Sequence, residues 1–278
     1  MSQPPLSVAP LLPLADGTSI PQLGYGLYKV PPPDAARLSL DAIALGYRHL
    51  DTAAFYGNER EVGEAVRSAP VPREELFVTS KVWKDDNGFD ETLRAFDGSI
   101  AALGLESLDL YLIHWPVPST DRYVETWRAL IRLQREGRVR SIGVANFHPH
   151  HLERIVAETG VAPVVNQVEL HPWLPQSRLR AFDAAHGIRT EAWSPLARGR
   201  VLGTTLLDEL AAKHDRTPAQ IVLRWHVQLG NVVIPKASSA ARIRENLDVF
   251  GFALDAGDLA AIATLETGER TGRDPDDD

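Results

Sequence analysis

Leu108-Asp109-Leu110-Tyr111-Leu112-Ile113-His114 is a short, largely apolar run that closes on a polar residue. A run of this length and composition reads as a buried strand. From Tyr123 to Arg135 apolar residues recur at three- and four-residue spacing, the pattern of a helix with one buried face, and Ser141 to Ala145 is apolar again. Strand, helix and strand in that order predict a parallel unit with a right-handed crossover.

The same alternation continues in both directions. Toward the N-terminus the apolar runs are Gln22 to Gly26, Arg48 to Asp51 and Leu76 to Ser80; toward the C-terminus they are Val164 to Gln167, Arg189 to Ala192 and Val232 to Pro235, which makes eight with the first pair. Amphipathic stretches such as Asp34 to Leu45, Glu91 to Leu103, Pro149 to Thr159, Arg178 to His186 and Pro218 to Leu229 separate them. Eight repeats within about 210 residues predict an α/β fold, a closed (β/α)8 TIM barrel. Leu12 to Leu23, with Asp16-Gly17 between short apolar runs, predicts a small β-hairpin ahead of the barrel. No linker divides the chain, so residues 1–278 are expected to be one barrel domain. Residues 268–278 are expected to be a flexible acidic tail, Asp274-Pro275-Asp276-Asp277-Asp278 reading as a frayed terminus.

The composition, 44% hydrophobic and 24% charged over 278 residues, is that of an ordinary globular chain. Lys plus Arg number 29 against 37 Asp plus Glu, a formal charge of −8, which argues against broad capture of nucleic acid or an acidic membrane. Any bound anion must meet a local basic site. With no cysteine, disulfides, thiolate nucleophiles and iron–sulfur clusters are excluded, so redox chemistry needs a borrowed cofactor. No stretch is long and apolar enough to span a membrane, and the N-terminal residues do not follow a signal-peptide pattern. The expected setting is the cytoplasm.

In a β/α barrel the active site lies at the C-terminal ends of the strands. The polar residues there are Asp51 and Tyr56, Lys81, His114, Asn146, Gln167, Trp193 with Ser194, and Lys236. Singly, each has an ordinary structural reading as a helix cap, a solvated lysine or a core histidine. Together, a carboxylate, a lysine, a tyrosine and a histidine converging on one mouth form a proton-transfer set. A tyrosine with an unperturbed pKa of about 10 is a poor acid near neutrality, and an adjacent ammonium is expected to lower it.

Gly46-Tyr47-Arg48-His49-Leu50-Asp51-Thr52-Ala53 followed by Tyr56-Gly57-Asn58-Glu59 resembles the signature of the aldo-keto reductases. The resemblance extends through Thr79-Ser80-Lys81-Val82-Trp83, Ile113-His114-Trp115-Pro116, Gly143-Val144-Ala145-Asn146-Phe147, Asn166-Gln167 and Ile234-Pro235-Lys236, over roughly residues 12 to 270. Ile20-Pro21-Gln22-Leu23-Gly24-Tyr25-Gly26 and the brief C-terminus are most similar to the bacterial 2,5-diketo-D-gluconate reductase group. The resemblance implies NADPH-dependent reduction of an aldehyde or ketone, such as a keto sugar acid or methylglyoxal, by a monomer. Tyr56 would be the general acid, Lys81 and Asp51 its tuning pair, and His114 the residue that orients the carbonyl.

It further implies that Trp193 stacks on the nicotinamide, that Asn146 and Gln167 hold its carboxamide, and that Ser194 and Leu196 begin the loop over the pyrophosphate. Lys236, Ser238 and Arg242 would bind the 2′-phosphate, and Glu245 and Asn246 the adenine. The bottom-up reading agrees: a Lys and an Arg six apart past the eighth run form a local anion site in an acidic chain. Tyr28, Trp83, Trp115 and His114 are expected to wall the substrate pocket.

Ala145 and Ala237 depart from the family's usual hydroxyl residues at cofactor-binding positions; a lost hydrogen bond to a charged phosphate costs about 1.5–3 kcal/mol. His148-Pro149-His150-His151 could suggest a metal-dependent hydrolase, but the cluster begins a helix after the fifth run, so it reads as a solvated helix start and no metal is expected. A Schiff-base aldolase using Lys81 leaves Tyr56, Trp193 and Lys236 unexplained. A regulatory, non-catalytic module on this fold would have no use for the full acid–base set.

Overall fold

The computed structural model describes residues 8–277. The expected hairpin is present: β1 (Leu11–Pro13) and β2 (Ser19–Pro21) pair antiparallel with Leu12 opposite Ile20. Gly17 sits at φ +83° in the turn, and the Asp16 carboxylate accepts from the Thr18 amide at 3.0 Å. Leu14 and Ile20 pack on Phe77, Val165 and Val232, the first residues of three barrel strands, so the hairpin closes the barrel at its N-terminal end.

The barrel strands are β3 (Tyr25–Gly26), β4 (His49–Asp51), β5 (Phe77–Val82), β6 (Leu108–Ile113), β7 (Val139–Ala145), β8 (Val165–Glu169), β9 (Arg189–Trp193) and β10 (Val232–Val233). They lie in sequence order and each neighbouring pair is parallel. A bridge between Leu23 and Val233 closes the ring, with the Gly24 amide donating to the Val233 carbonyl at 2.9 Å. The fold is thus the expected β/α barrel. Strand pairing runs past the apolar stretches that announced it. In β5 the ladder includes Lys81 opposite Leu112, and in β8 it includes Gln167 opposite Glu191, so side chains expected just beyond the strands stand inside them. Alternation points every second one into the barrel.

The helices packed outside are α1 (Pro32–Leu45), α2 (Glu59–Ser68), α3 (Phe89–Leu103), α4 (Tyr123–Arg135), α5 (Pro149–Thr159), α6 (Ser177–Ala185), α7 (Thr205–His214), α8 (Pro218–Gln228), α9 (Ala240–Leu247) and α10 (Ala256–Ala263). Pro at the first turn starts α1, α5 and α8, and Thr217 with Gln220 forms a reciprocal cap on α8. Among the described residues no helix is long and apolar enough to cross a membrane.

The C-terminal segment departs from the expectation of a frayed acidic tail. Thr267 and Gly268 donate to the Trp173 carbonyl, and the amides of Thr271 and Gly272 donate to the buried Glu169 carboxylate at 2.6 and 3.0 Å. Burial alone would raise the Glu169 pKa, but the hydrogen bonds from His171, Thr271 and Gly272 outweigh it and hold it below the usual carboxylate range. Asp274 bonds His148 at 2.9 Å, Asp276 lies 3.3 Å from both His150 and His151, and Pro275 is buried. The histidines at the start of α5 are therefore paired with the tail rather than simply solvated. Composition shows the acidic residues but not the imidazoles that meet them, nor the carboxylate that accepts from the tail's amides.

Two glycines make a test of helix packing with opposite signs. A Cβ on Gly63 of α2 would lie 1.9 Å from the Leu103 carbonyl oxygen, whereas one on Gly98 of α3 would meet nothing within 4 Å. Gly98→Ala should stabilise by about 0.5–1 kcal/mol, the helix-propensity gain. Gly63→Ala should destabilise by about 1–3 kcal/mol through overpacking, and thermal unfolding of the two variants should therefore move in opposite directions.

Candidate active site

Asp51 is the last residue of β4, Lys81 lies in β5, and Tyr56 closes a short 3-10 turn at Ala54–Tyr56. The Lys81 side chain is wholly enclosed, and its Nζ donates to Asp51 Oδ1 and Oδ2 at 2.7 and 2.8 Å and to the Thr52 carbonyl at 2.9 Å. Its remaining reach is to the Tyr56 hydroxyl, 3.3 Å away. His114 follows β6, and its ring stands edge-on to Tyr56 with centroids 5.7 Å apart. All four expected members of the acid–base set meet at one point.

Their electrostatics differ in one respect from the expectation. Burial, followed by the Asp51 carboxylate, raises the Tyr56 pKa well above 10 instead of lowering it. The phenol therefore stays protonated in the resting site. Burial, followed by the Lys81 ammonium, lowers the His114 pKa well below its ordinary value, so the imidazole is neutral.

A cleft of about 1370 Å³ runs from this set across the barrel mouth. Its wall includes Tyr28, Trp83, Trp115 and His114, then Asn146, Gln167, Trp193, Ser194 and Leu196, and also Lys236, Ala237, Arg242, Glu245 and Asn246. Asn146 adopts φ +63°, a left-handed conformation that asparagine tolerates. From there its Oδ1 accepts from Trp193 Nε1 and its Nδ2 donates to the His114 carbonyl, both at 2.9 Å, which fixes the indole plane.

Three expected residues do not reach the wall among those lining the cleft. Lys81 lies beneath it, Ala145 packs inside the barrel with Leu110, Leu112 and Val165, and Ser238 is exposed outside, where its hydroxyl meets Lys236 Nζ at 2.6 Å. The sequence reading missed Phe55, stacked face to face on Trp83 at 3.8 Å, the Arg198-Gly199 loop, and Thr271 to Arg273 of the tail. A bulky apolar residue beside Tyr56, outside any buried periodicity, was the signal for Phe55. Nothing local marked the tail.

The β/α barrel thus carries a buried acid–base set beside a long cleft, in a chain whose lack of cysteine leaves any redox chemistry to a borrowed cofactor. The sequence profile of the Aldo/keto reductase family matches residues 17–267, and the chain belongs to that family. It is 51% identical over 268 residues to an aldo-keto reductase of Mycolicibacterium smegmatis, covering 96% of this chain and 98% of that one. It is 49% identical over 265 residues to the methylglyoxal reductase DkgA of Escherichia coli, covering 95% and 96%. A mutant of Gox0644 solved in complex with NADPH superposes with a TM-score of 0.94 at 48% identity, covering 98% of this chain and 99% of that one.

The buried pair makes a testable demand on stability. Lys81→Met leaves the Asp51 carboxylate enclosed without its cation, which should cost about 3–5 kcal/mol. The double variant Asp51→Asn/Lys81→Met removes both charges and should recover most of that loss, measured by urea unfolding.

Proposed function

We propose that the protein reduces small aldehydes and ketones with NADPH, Tyr56 giving the proton to the carbonyl oxygen. The observation that carries this reading is the Lys81 ammonium, bound to Asp51 and 3.3 Å from the Tyr56 hydroxyl, on the floor of the cleft. The residues present fit the cofactor. Trp193 offers a flat face held by Asn146, Gln167 offers an amide in the same wall, and Lys236 and Arg242 supply cations just before and within the first turn of α9. Ser238, outside the cleft wall, places its hydroxyl against Lys236 Nζ. Bound there, NADPH supplies the hydride to the carbonyl carbon.

The protein's own residues manage the oxygen. His114, neutral, and Tyr56, protonated, flank the position where a carbonyl oxygen enters between Trp83 and Tyr28. As negative charge grows on that oxygen, the Tyr56 O–H bond breaks toward it and an alcohol forms. The phenolate left behind lies beside the Lys81 ammonium, which stabilises it, while Asp51 holds the ammonium in place. Thus a tyrosine whose resting pKa is raised still serves as an acid, because its conjugate base is stabilised where it forms.

The named relatives favour a small dicarbonyl such as methylglyoxal among the candidate substrates, with 2,5-diketo-D-gluconate and simple aldehydes as the other members of a panel. Phe55, Trp83 and Tyr28 give the entrance an apolar, aromatic wall. The cytoplasm and a monomeric state carry over from the sequence as the expected setting.

Tyr56→Phe should lower NADPH-dependent turnover of methylglyoxal by roughly 10²–10⁴-fold, the usual weight of a positioned proton donor. Titration of the tryptophan fluorescence should show NADPH affinity within about twofold of the wild type. Retained turnover would remove Tyr56 from the role. Arg242→Ala should weaken NADPH by about 10- to 100-fold, the weight of one charge-assisted hydrogen bond, and leave NADH nearly unchanged. Equal losses for both cofactors would refute the 2′-phosphate site.

A further inference from the structure

Glu191 is enclosed in the middle of β9 and takes no part in the proton transfer described above. Its Oε2 accepts from Gln167 Nε2 at 2.9 Å. The other proton of the same amide goes to Asp51 Oδ2 at 2.8 Å. A primary amide has two N–H donors, and here both are committed to carboxylates. The reversed amide would place the Gln167 carbonyl oxygen against those two acceptors, so the network admits one orientation only. In that orientation Oε1 faces away from Asp51 and Glu191, and Gln167 is part of the cleft wall beside Trp193. The neighbouring Asn146 already accepts from Trp193 through its own oxygen.

We propose that Glu191 is a positioning residue: with Asp51 it locks the Gln167 amide so that Oε1 is presented as the acceptor for the carboxamide N–H of the nicotinamide. This rests on the NADPH reading above. Asp51 alone could not do it, since one hydrogen bond leaves the amide free to turn about that contact. Among the described residues Glu191 has no other hydrogen-bonded partner: its Oε1 is unpaired and stands 3.9 Å from His49 Nε2, which is itself bonded to Thr79 Oγ1 at 3.0 Å. Burial, then the Asp51 carboxylate, raises the Glu191 pKa to about 8, so the side chain is mostly protonated at neutral pH. With that proton on the unpaired Oε1, Oε2 remains an acceptor for the Gln167 amide, and a reversed amide would still set its oxygen against the Asp51 carboxylate. What the position needs is therefore an acceptor of this length, not a charge.

The experiment compares Glu191→Gln and Glu191→Leu with the wild type, using NADP⁺ and its 3-acetylpyridine analogue, in which a methyl group replaces the carboxamide NH₂. Dissociation constants are read from tryptophan fluorescence. Glu191→Gln keeps an acceptor and should bind NADP⁺ within about twofold of the wild type, whereas Glu191→Leu should bind it about tenfold more weakly. With the acetyl analogue, which has no N–H to offer, Glu191→Leu and the wild type should bind alike. A general loosening of the barrel would weaken both cofactors together, and that result overturns the proposal, as does a Glu191→Leu variant with undiminished NADP⁺ affinity. A wild-type protein that fails to bind NADP⁺ at all overturns the cofactor reading itself, and this one with it.

Discussion

The ion pair between Asp51 and Lys81 is the constraint around which the mouth of the barrel is arranged. Both groups are removed from water, Lys81 completely, and a charge so placed is costly unless every proton finds a partner. The Lys81 ammonium donates to Asp51 and to the Thr52 carbonyl, and its last direction is toward the Tyr56 hydroxyl. Asp51 Oδ2 also takes the Gln167 amide from the other side of the barrel. Residues from β4, β5 and β8, and the turn after β4, are thus tied to one point by charge-assisted bonds, which are shorter and stronger than neutral ones.

Much of this was legible in the sequence because a strand's apolar run and its polar ending are both local. The eight runs gave the barrel, and their endings gave Asp51, Lys81, His114, Gln167 and Trp193. The run from Arg189 to Ala192 also contained Glu191, a carboxylate interrupting a strand that should be buried on the barrel side. Its partner Gln167 lies on the adjacent strand, and only the register reveals that they meet. The C-terminal segment was misread for the same reason at longer range. His148 and Asp274 are 126 positions apart, and Glu169 and Thr271 102 apart. Local composition called the tail acidic and solvated, while its acceptors and donors lay on β8 and α5.

The tail also bears on Trp193. Gly272 lies so close to the indole that a Cβ there would fall 2.6 Å from Trp193 Cη2. Trp193 is thus held at its nitrogen by Asn146 and faced along its far edge by the tail, which Glu169 anchors in turn. A flat ring fixed on two edges loses little freedom when another ring stacks on it, and the entropic cost of ordering it has already been met in folding. Thr271, Gly272 and Arg273 of this segment form part of the cleft wall.

Charge distribution completes the argument for an anionic cofactor in an acidic protein. The chain as a whole carries −8, yet the cleft wall holds six cations, Lys29, Lys84, Arg198, Lys236, Arg242 and Arg273, against three carboxylates, Asp51, Glu245 and Asp277. Asp51 is already neutralised by Lys81 from below. Basic side chains gathered along a concave wall focus the field there. A negative net charge and a basic cleft are compatible, because the cations come from separate segments of the chain, Arg242 from α9 among them, that only the closed barrel brings to one rim.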